Sequence, residues 1–283
     1  MATFQEREIS TSDGAPASLY RLDWDKTSWF YTNADAPIAR QEIVGDQMQE
    51  VVYEPRAIQD SGVTQGTSGQ NDFTMDGPSD LDIVRLFRGS PPAETIWFTV
   101  RRVHDNPADA PIYWKGIVTN VKRPKPASCQ VIGRPLSAFL KRTGLRLCWT
   151  KECPHFLYGP GCYVDKAAFA AAGTVAAFDA ASITVALAEG RPAGWFRGGF
   201  VEWTANDDGT MERRMIEDEA ESAEGVKLSI MGIVDFLDPG QALTAYPGCN
   251  RTPEDCKNKF NNKLNYGGFE NMPGASPFDT PIW

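Results

Sequence analysis

CPHFLYGPGC (Cys153–Cys162) and PGCNRTPEDC (Pro247–Cys256) place four cysteines in two local pairs, Cys153-x8-Cys162 and Cys249-x6-Cys256, on either side of a long insertion. The pairs converge if the insertion begins and ends at one place, and four thiolates then surround one centre. Structural zinc is usually gripped by pairs spaced about two to four residues apart, which form a tight knuckle, so these wider spacings suit it poorly. An iron–sulfur cluster takes four cysteine ligands on different irons and tolerates wider loops. Gly159-Pro160-Gly161 and Pro247-Gly248 supply turns and the close backbone approach that thiolate sulfurs need. Disulfides and simple buried thiols are the rival readings, since cysteine is among the most buried residue types whatever its chemistry. Spacing alone does not decide between them. Of the other two cysteines, Cys129 lies in the strand-like ASCQVI and reads as a core thiol. Cys148 falls five positions before Cys153 and is not counted as a ligand.

The chain around these loops has 283 residues and 42% hydrophobic content, enough to bury a proper core and to form two domains. Its 37 acidic against 28 basic residues give a net charge of −9, which argues against electrostatic wrapping of nucleic acid. The basic run VKRPKP (Val121–Pro126) reads as a solvated strand end. The first residues, MATFQEREISTSDG, carry charge from Glu6 onward and lack the apolar segment of a signal peptide. No stretch is long and apolar enough to span a bilayer. Synthesis in a reducing cytoplasm is the expectation, and there cysteines favour metal ligation or free thiols over a disulfide framework.

Upstream of the cysteine loop the chain reads as short strands. TIWFTV (Thr95–Val100) puts Ile96, Phe98 and Val100 on one face, and YWKGIVTNV (Tyr113–Val121) alternates likewise, with Gly116 as a candidate bulge. EVVYEP and NDFTM add two weaker candidates. PSDLDIVRLFRGSPP predicts a short helix, with Ser79 and Asp82 as a capping box, an apolar stripe of Leu81, Ile83, Val84 and Phe87, and an end at Gly89 and Pro91. PLSAFLKRTG predicts a second helix, opened by Pro135 and closed by Gly144. Downstream, the alanine-rich KAAFAAAGTVAAFDAAS reads as a linker or a short helix. SITVAL and VKLSIM then alternate as strands, and GGFVEWTANDDGTMERRMIED has the form of a hairpin turning at Asn206-Asp207-Asp208-Gly209. The pattern is mainly β with short helices.

Taken together, CPHFLYGPGCYVD and GQALTAYPGCNRTPEDCKNKFNNKLNYGGFENMP resemble the C-terminal part of the phage tail-tip or baseplate hub family of long-tailed phages and gene transfer agents, which includes lambda-like minor tail proteins. YWKGIVTNVKRPKPASCQVIGRPLSAFLKRTGLR resembles the end of that family's N-terminal domain. The resemblance implies an N-terminal β-rich hub domain over residues 1–147 and a cluster domain built from residues 148–170 and 246–283. A small β-barrel inserted at residues 171–245 interrupts that domain. It implies a 4Fe-4S cluster held by Cys153, Cys162, Cys249 and Cys256, with zinc as the alternative metal. Tyr163 follows the second cysteine where relatives frequently have glycine. The implied role is structural: a homotrimer adapting the tail tube to the tip of the virion, assembled in the host cytoplasm. Its implied neighbours are a distal tail protein, a central tip or receptor-binding tail protein and the tape measure protein, with DNA met only in transit.

A cysteine-dependent hydrolase is the reading from another class. It is weakened by the placing of the two histidines: His155 is two residues from Cys153, too near in sequence for an ordinary dyad, and His104-Asp105 reads as a solvated turn. Gly-x-Ser-x-Gly, HExxH and Walker motifs are absent. Four cysteine ligands leave no open iron site, so the cluster is expected to be structural and the protein not an enzyme. Eight tryptophans, fifteen phenylalanines and eight tyrosines leave several aromatics in loops, among them Trp195, Phe196, Phe269, Phe278 and Trp283, as candidate partner anchors. PGASPFDTPIW reads as an extended C-terminal arm.

Overall fold

Ile96, Phe98 and Val100 of TIWFTV are all buried, as alternation demands of a strand with one covered face. A computed structural model of the chain describes residues 4–10, 14, 16–63, 72–87, 91–104, 106–140, 144, 148–188, 190–205, 209, 211–234 and 237–272. The chain forms two units, residues 1–142 and 143–283. Among the described residues the fold is mainly β with a few short helices.

The first unit opens with α1 (Phe4–Glu8) and contains β1 (Ala17–Trp24), β2 (Thr27–Thr32), β3 (Ile38–Val44), β4 (Gln47–Pro55), β5 (Gln59–Asp60) and β6 (Phe73–Pro78). After α2 (Asp82–Leu86) come β7 (Trp97–Val103), β8 (Ile112–Lys125) and β9 (Ser128–Pro135), then α3 (Ser137–Leu140). The strands form one sheet in the order β3-β4-β2-β1-β7-β8-β9-β6-β5. Every pairing is antiparallel except β2 with β4. Tyr20, Phe73, Met75, Phe98 and Val131 from these strands meet in a core that α2 covers with Leu81, Ile83, Val84 and Leu86. Cys129 lies in that core, and its thiol donates to the Pro78 carbonyl at 3.2 Å, as expected of a packing residue.

Several local expectations are corrected. Gly116 is in register with Phe98 and Pro135; the irregularities of β8 lie elsewhere, at Tyr113, at Thr119 and between Lys122 and Lys125. Glycine is required at 116 for another reason: a Cβ there would collide with the Arg134 carbonyl and the Trp114 ring. Ser79 does not cap α2, whose N-cap residue is Leu81 with no side-chain cap; Asp82 instead accepts a hydrogen bond from the Tyr31 hydroxyl at 2.8 Å. The helix ends at Leu86, and Gly89 lies outside the described residues. Pro135 belongs to β9, so α3 is a single turn beginning at Ser137. His104 is not solvated: only 4% of its side chain is exposed, with Nε2 3.0 Å from Glu8 and its ring against Phe4. Asp105 lies outside the described residues.

The second unit carries β10 (Ala171–Phe178), β11 (Ser182–Leu187), β12 (Phe200–Thr204), β13 (Met211–Ser222), β14 (Gly225–Ile230) and β15 (Ala242–Tyr246), closed into a barrel in the order β10-β11-β14-β13-β12-β15. The alanine run is therefore neither linker nor α-helix but a barrel strand, preceded by one 3-10 turn at Ala167–Phe169. Alanine's helix propensity yields here because pairing on both sides satisfies the backbone, and Ala171 and Val175 face the core. Gly173 admits the Val185 side chain and the Ala186 carbonyl where a Cβ would not fit. Ile183, Val185, Val201, Trp203, Ile216, Leu228 and Leu243 fill the interior. Each such side chain contributes about 1.5–3 kcal/mol by leaving water. The predicted β12–β13 hairpin forms, although most of its turn, residues 206–208, lies outside the described residues. Phe196 is 1% exposed, so it is a core residue and not a partner anchor.

Gly116→Ala is expected to destabilise the first unit by about 1–3 kcal/mol, because backbone and an indole must give way together. Gly144→Ala, whose Cβ meets nothing within 4 Å, should leave stability nearly unchanged; chemical denaturation measures both.

Candidate metal centre

The barrel begins and ends in one place. Ala171 and Ala245 are register partners, so the chain enters β10 beside the point where it leaves β15. The first cysteine loop leads into β10, and the second continues from β15. Two glycines make the exit tight: a Cβ on Gly199 would strike the Tyr246 carbonyl, and one on Gly248 would strike the backbone of Arg197 to Gly199. Backbone therefore packs directly on backbone where the second loop begins.

The loops then hold each other. Cys153 N donates to the Arg251 carbonyl at 3.0 Å, and the Tyr158 hydroxyl donates to the Pro247 carbonyl at 3.0 Å. In the second loop α4 (Pro253–Asn258) is capped by Thr252, whose hydroxyl accepts from Asp255 N at 3.2 Å, and Pro253 opens the first turn. This short helix carries Cys256. The segment after it crosses back over the first loop: Gly267 N lies 3.4 Å from Cys153 Sγ, Phe269 N donates to the Thr150 carbonyl at 2.9 Å, and the Tyr266 hydroxyl donates to the Lys151 carbonyl at 2.6 Å. Trp149 and Phe269 stack at 4.6 Å between ring centroids.

Cys153, Cys162, Cys249 and Cys256 all line one cavity of ≈ 180 Å³. All six cysteines of the chain are free thiols. Cys148 is exposed and lies outside this cavity. Burial pushes the Cys256 thiol up to about 11, and the neighbouring sulfurs of Cys153, Cys249 and Cys162 push the same way. Burial likewise raises Cys249. Thiolates gathered in one enclosure repel one another, and a cation among them removes the penalty. The donor set, the enclosure and the amides aimed at sulfur fit a thiolate-ligated metal group.

His155 is held as a spacer. Its ring occupies the space that a Cβ on Gly161 or Gly267 would need, and Nδ1 lies 3.2 Å from the Asn265 carbonyl, so Nδ1 carries the proton. Tyr163 adopts φ +58°, a left-handed conformation that glycine takes without strain, and its side chain is 75% exposed. Tyrosine at this left-handed position leaves the cysteine loop in place.

Charged side chains tie the loops to the barrel wall. Lys166, four residues after Cys162, donates to both carboxylate oxygens of Glu202 at 2.8 and 2.7 Å and lies 4.5 Å over the Tyr246 ring. Arg213 meets the same carboxylate at 2.6 Å. Burial would push Glu202 up, but hydrogen bonds from Lys166 and Arg213 outweigh it and hold the carboxyl below its ordinary 4.5. Lys259, three residues after Cys256, donates to the Trp195 carbonyl at 2.6 Å, while Glu219 accepts from the amides of Trp195 and Phe196 at 2.9 and 2.6 Å. Trp195 is thus a partly buried strut and not a free anchor. Phe278 and Trp283, with the rest of the C-terminal arm, lie outside the described residues.

The class this architecture defines is a β-barrel set between two mutually bonded cysteine loops, preceded by a unit with a large, mostly antiparallel sheet. The same fold occurs in a chain of the "Virion of native gene transfer agent (GTA) particle", at a TM-score of 0.76 and 19% identity, covering 99% of this chain and 96% of that one. Residues 194–276 match the family described as phage conserved hypothetical protein BR0599, a span that takes in the second cysteine pair but not the first. No curated protein matches the chain. Both matches agree with the resemblance read from the sequence as far as phages and gene transfer agents: a phage family over residues 194–276, and a fold shared with a gene transfer agent particle chain.

Two outcomes test the local geometry. Tyr163→Gly should raise the thermal stability of the second unit by about 1 kcal/mol by relieving left-handed strain. The Glu202 contribution should be fully present above the unfolded carboxylate range and lost as pH falls through the lowered folded value, so Glu202→Gln should flatten the acid limb of a stability-versus-pH curve.

Proposed function

We propose that this chain is a structural subunit of a phage-like or gene-transfer-agent-like virion, a tail-tip or baseplate hub protein and not an enzyme, whose second unit holds a 4Fe-4S cluster on Cys153, Cys162, Cys249 and Cys256. The observation that carries the cluster reading is the convergence of all four cysteines, from loops some ninety residues apart, on one cavity. Among the described residues no three His, Cys, Asp or Glu side chains cluster closely enough for a single ion. The wide spacings within each cysteine pair suit a multinuclear group, whose ligands attach to different irons, better than the tight knuckle of structural zinc. Bound there, the group would supply folding free energy by cross-linking the two ends of the barrel insertion. Four protein ligands leave no open coordination position for a substrate, and His155 donates to a carbonyl instead of serving a nucleophile.

The virion role is supported by the fold shared along almost the whole chain with a gene transfer agent particle protein and by the phage family match. In this reading the chain assembles as a homotrimer between the tail tube and the tip, against a distal tail protein, a central tip protein and the tape measure protein. The hub domain, expected over residues 1–147, corresponds to the first unit, residues 1–142, and DNA is met only in transit. Among the described residues no helix is long and apolar enough to cross a membrane.

Anaerobically purified protein should absorb at roughly 400 nm and contain iron and acid-labile sulfide in equal amounts, about four of each per chain. Cys249→Ser should abolish the colour and lower stability, whereas Cys129→Ala should leave the colour intact. A colourless wild-type protein loaded with zinc, or with no metal, would reject the cluster.

A further inference from the structure

The segment NNKLNYGGF (Asn261–Phe269) leaves the second cysteine pair and runs back over the first, and Asn262 near its start touches both. Its Nδ2 lies 2.6 Å from the Cys162 carbonyl and 3.8 Å from Cys162 Sγ. Its backbone N donates to the Cys256 carbonyl at 2.8 Å, and its own carbonyl accepts the Cys256 thiol at 3.1 Å. The orientation of the side chain is fixed chemically. Oδ1 accepts Nδ2 of Asn265 at 2.6 Å, so the amide nitrogen is the end that faces Cys162. Phe260, two positions earlier, is buried against Cys162 and Val164, which keeps the segment seated.

The four sulfurs are therefore not equivalent. Cys162 faces the Asn262 amide, Cys153 faces the Gly267 amide at 3.4 Å and Cys249 faces the Arg251 amide at 3.3 Å, whereas Cys256 faces a carbonyl. An N–H aimed at a ligating sulfur stabilises negative charge there, and more so in the reduced state of a cluster, which raises its reduction potential. Two of these donors are backbone and cannot be changed by substitution. The third is a side chain, on a residue that touches Cys162 of one pair and Cys256 of the other.

Resting on the cluster reading above, we propose that Asn262 is a positioning residue for the metal group: it sets the spacing between the two cysteine pairs and tunes the bound cluster through its hydrogen bond to Cys162. Asparagine is required because one end of the group must donate and the other accept. Aspartate has the same shape and keeps the acceptor for Asn265, but it places a carboxylate against sulfur.

The test compares full-length wild type, Asn262→Asp and Asn265→Ala, all purified anaerobically. Far-UV circular dichroism checks the fold, iron and sulfide analysis the loading, a chelator challenge the retention, and spectroelectrochemistry the midpoint potential. Asn262→Asp should hold iron about 10–100-fold less tightly and shift the potential downward. Asn265→Ala, which frees the amide to turn, should shift the potential in the same direction by less, and it supplies the test if the aspartate variant fails to fold. Loaded, folded variants with the wild-type potential and retention would overturn the role of Asn262 alone. A wild-type chain without iron and sulfide would overturn the cluster reading itself, and the tuning with it.

Discussion

Everything distinctive in the second unit depends on one pairing: β10 against β15, with Ala171 opposite Ala245. Closing the barrel there removes two exposed sheet edges at once. It also brings together two stretches of chain far apart in sequence, each carrying a cysteine pair. The loop-closure entropy of that long insertion is met by the barrel's own core, so the cysteine loops inherit their proximity and do not have to create it. Small residues at the seam serve this closeness, since Ala171 and Ala245 pack inward where larger side chains would hold the strands' ends apart.

Proximity alone leaves two floppy loops, and the finer placement comes from polar contacts of different strength. Backbone-to-backbone bonds such as Cys153 to Arg251 set the register between the loops. Lys166 and Lys259 fasten each loop to the barrel through partly buried, charge-assisted hydrogen bonds with aromatic rings beneath the ammonium groups. Glu202 is buried while Lys166 and Arg213 keep contact with solvent, so loss of either cation would leave a buried carboxylate with one partner fewer. The cavity is thus walled by groups that are themselves pinned, which is the condition for holding four sulfurs in fixed positions.

Much of this was legible in the sequence, and the failures have physical causes. Period-two alternation located TIWFTV, SITVAL and VKLSIM because one face of each is buried. The alanine run misled because alanine carries no side-chain pattern, so only the partners of β10 could reveal it as a strand. Ser79 failed as a cap because helix α2 starts two residues later, where Leu81 is drawn into the core. Gly116 was rightly flagged as special, but its reason, the approach of Trp114 and Arg134, is a contact between strands and leaves no local trace. The four cysteines could be paired by eye, whereas the importance of Asn262, Gly267 and Tyr158 could not. Their partners are long-range, and NYGG signals a turn without saying what it turns around. Phe196 and Trp195 looked like exposed anchors because they sit in a loop, but that loop is tucked under Glu219.

The side-by-side ends of the barrel have a mechanical meaning. A pull applied to the chain on either side of β10 and β15 would peel that ladder open one hydrogen-bonded step at a time, the direction in which a sheet resists least. The contacts between Cys153 and Arg251 and between Tyr158 and Pro247 lie outside the ladder, nearer to where the load would arrive. Tension along the polypeptide is therefore carried from one cysteine loop straight to the other, and the barrel hangs beside the line of force as an unstressed pendant.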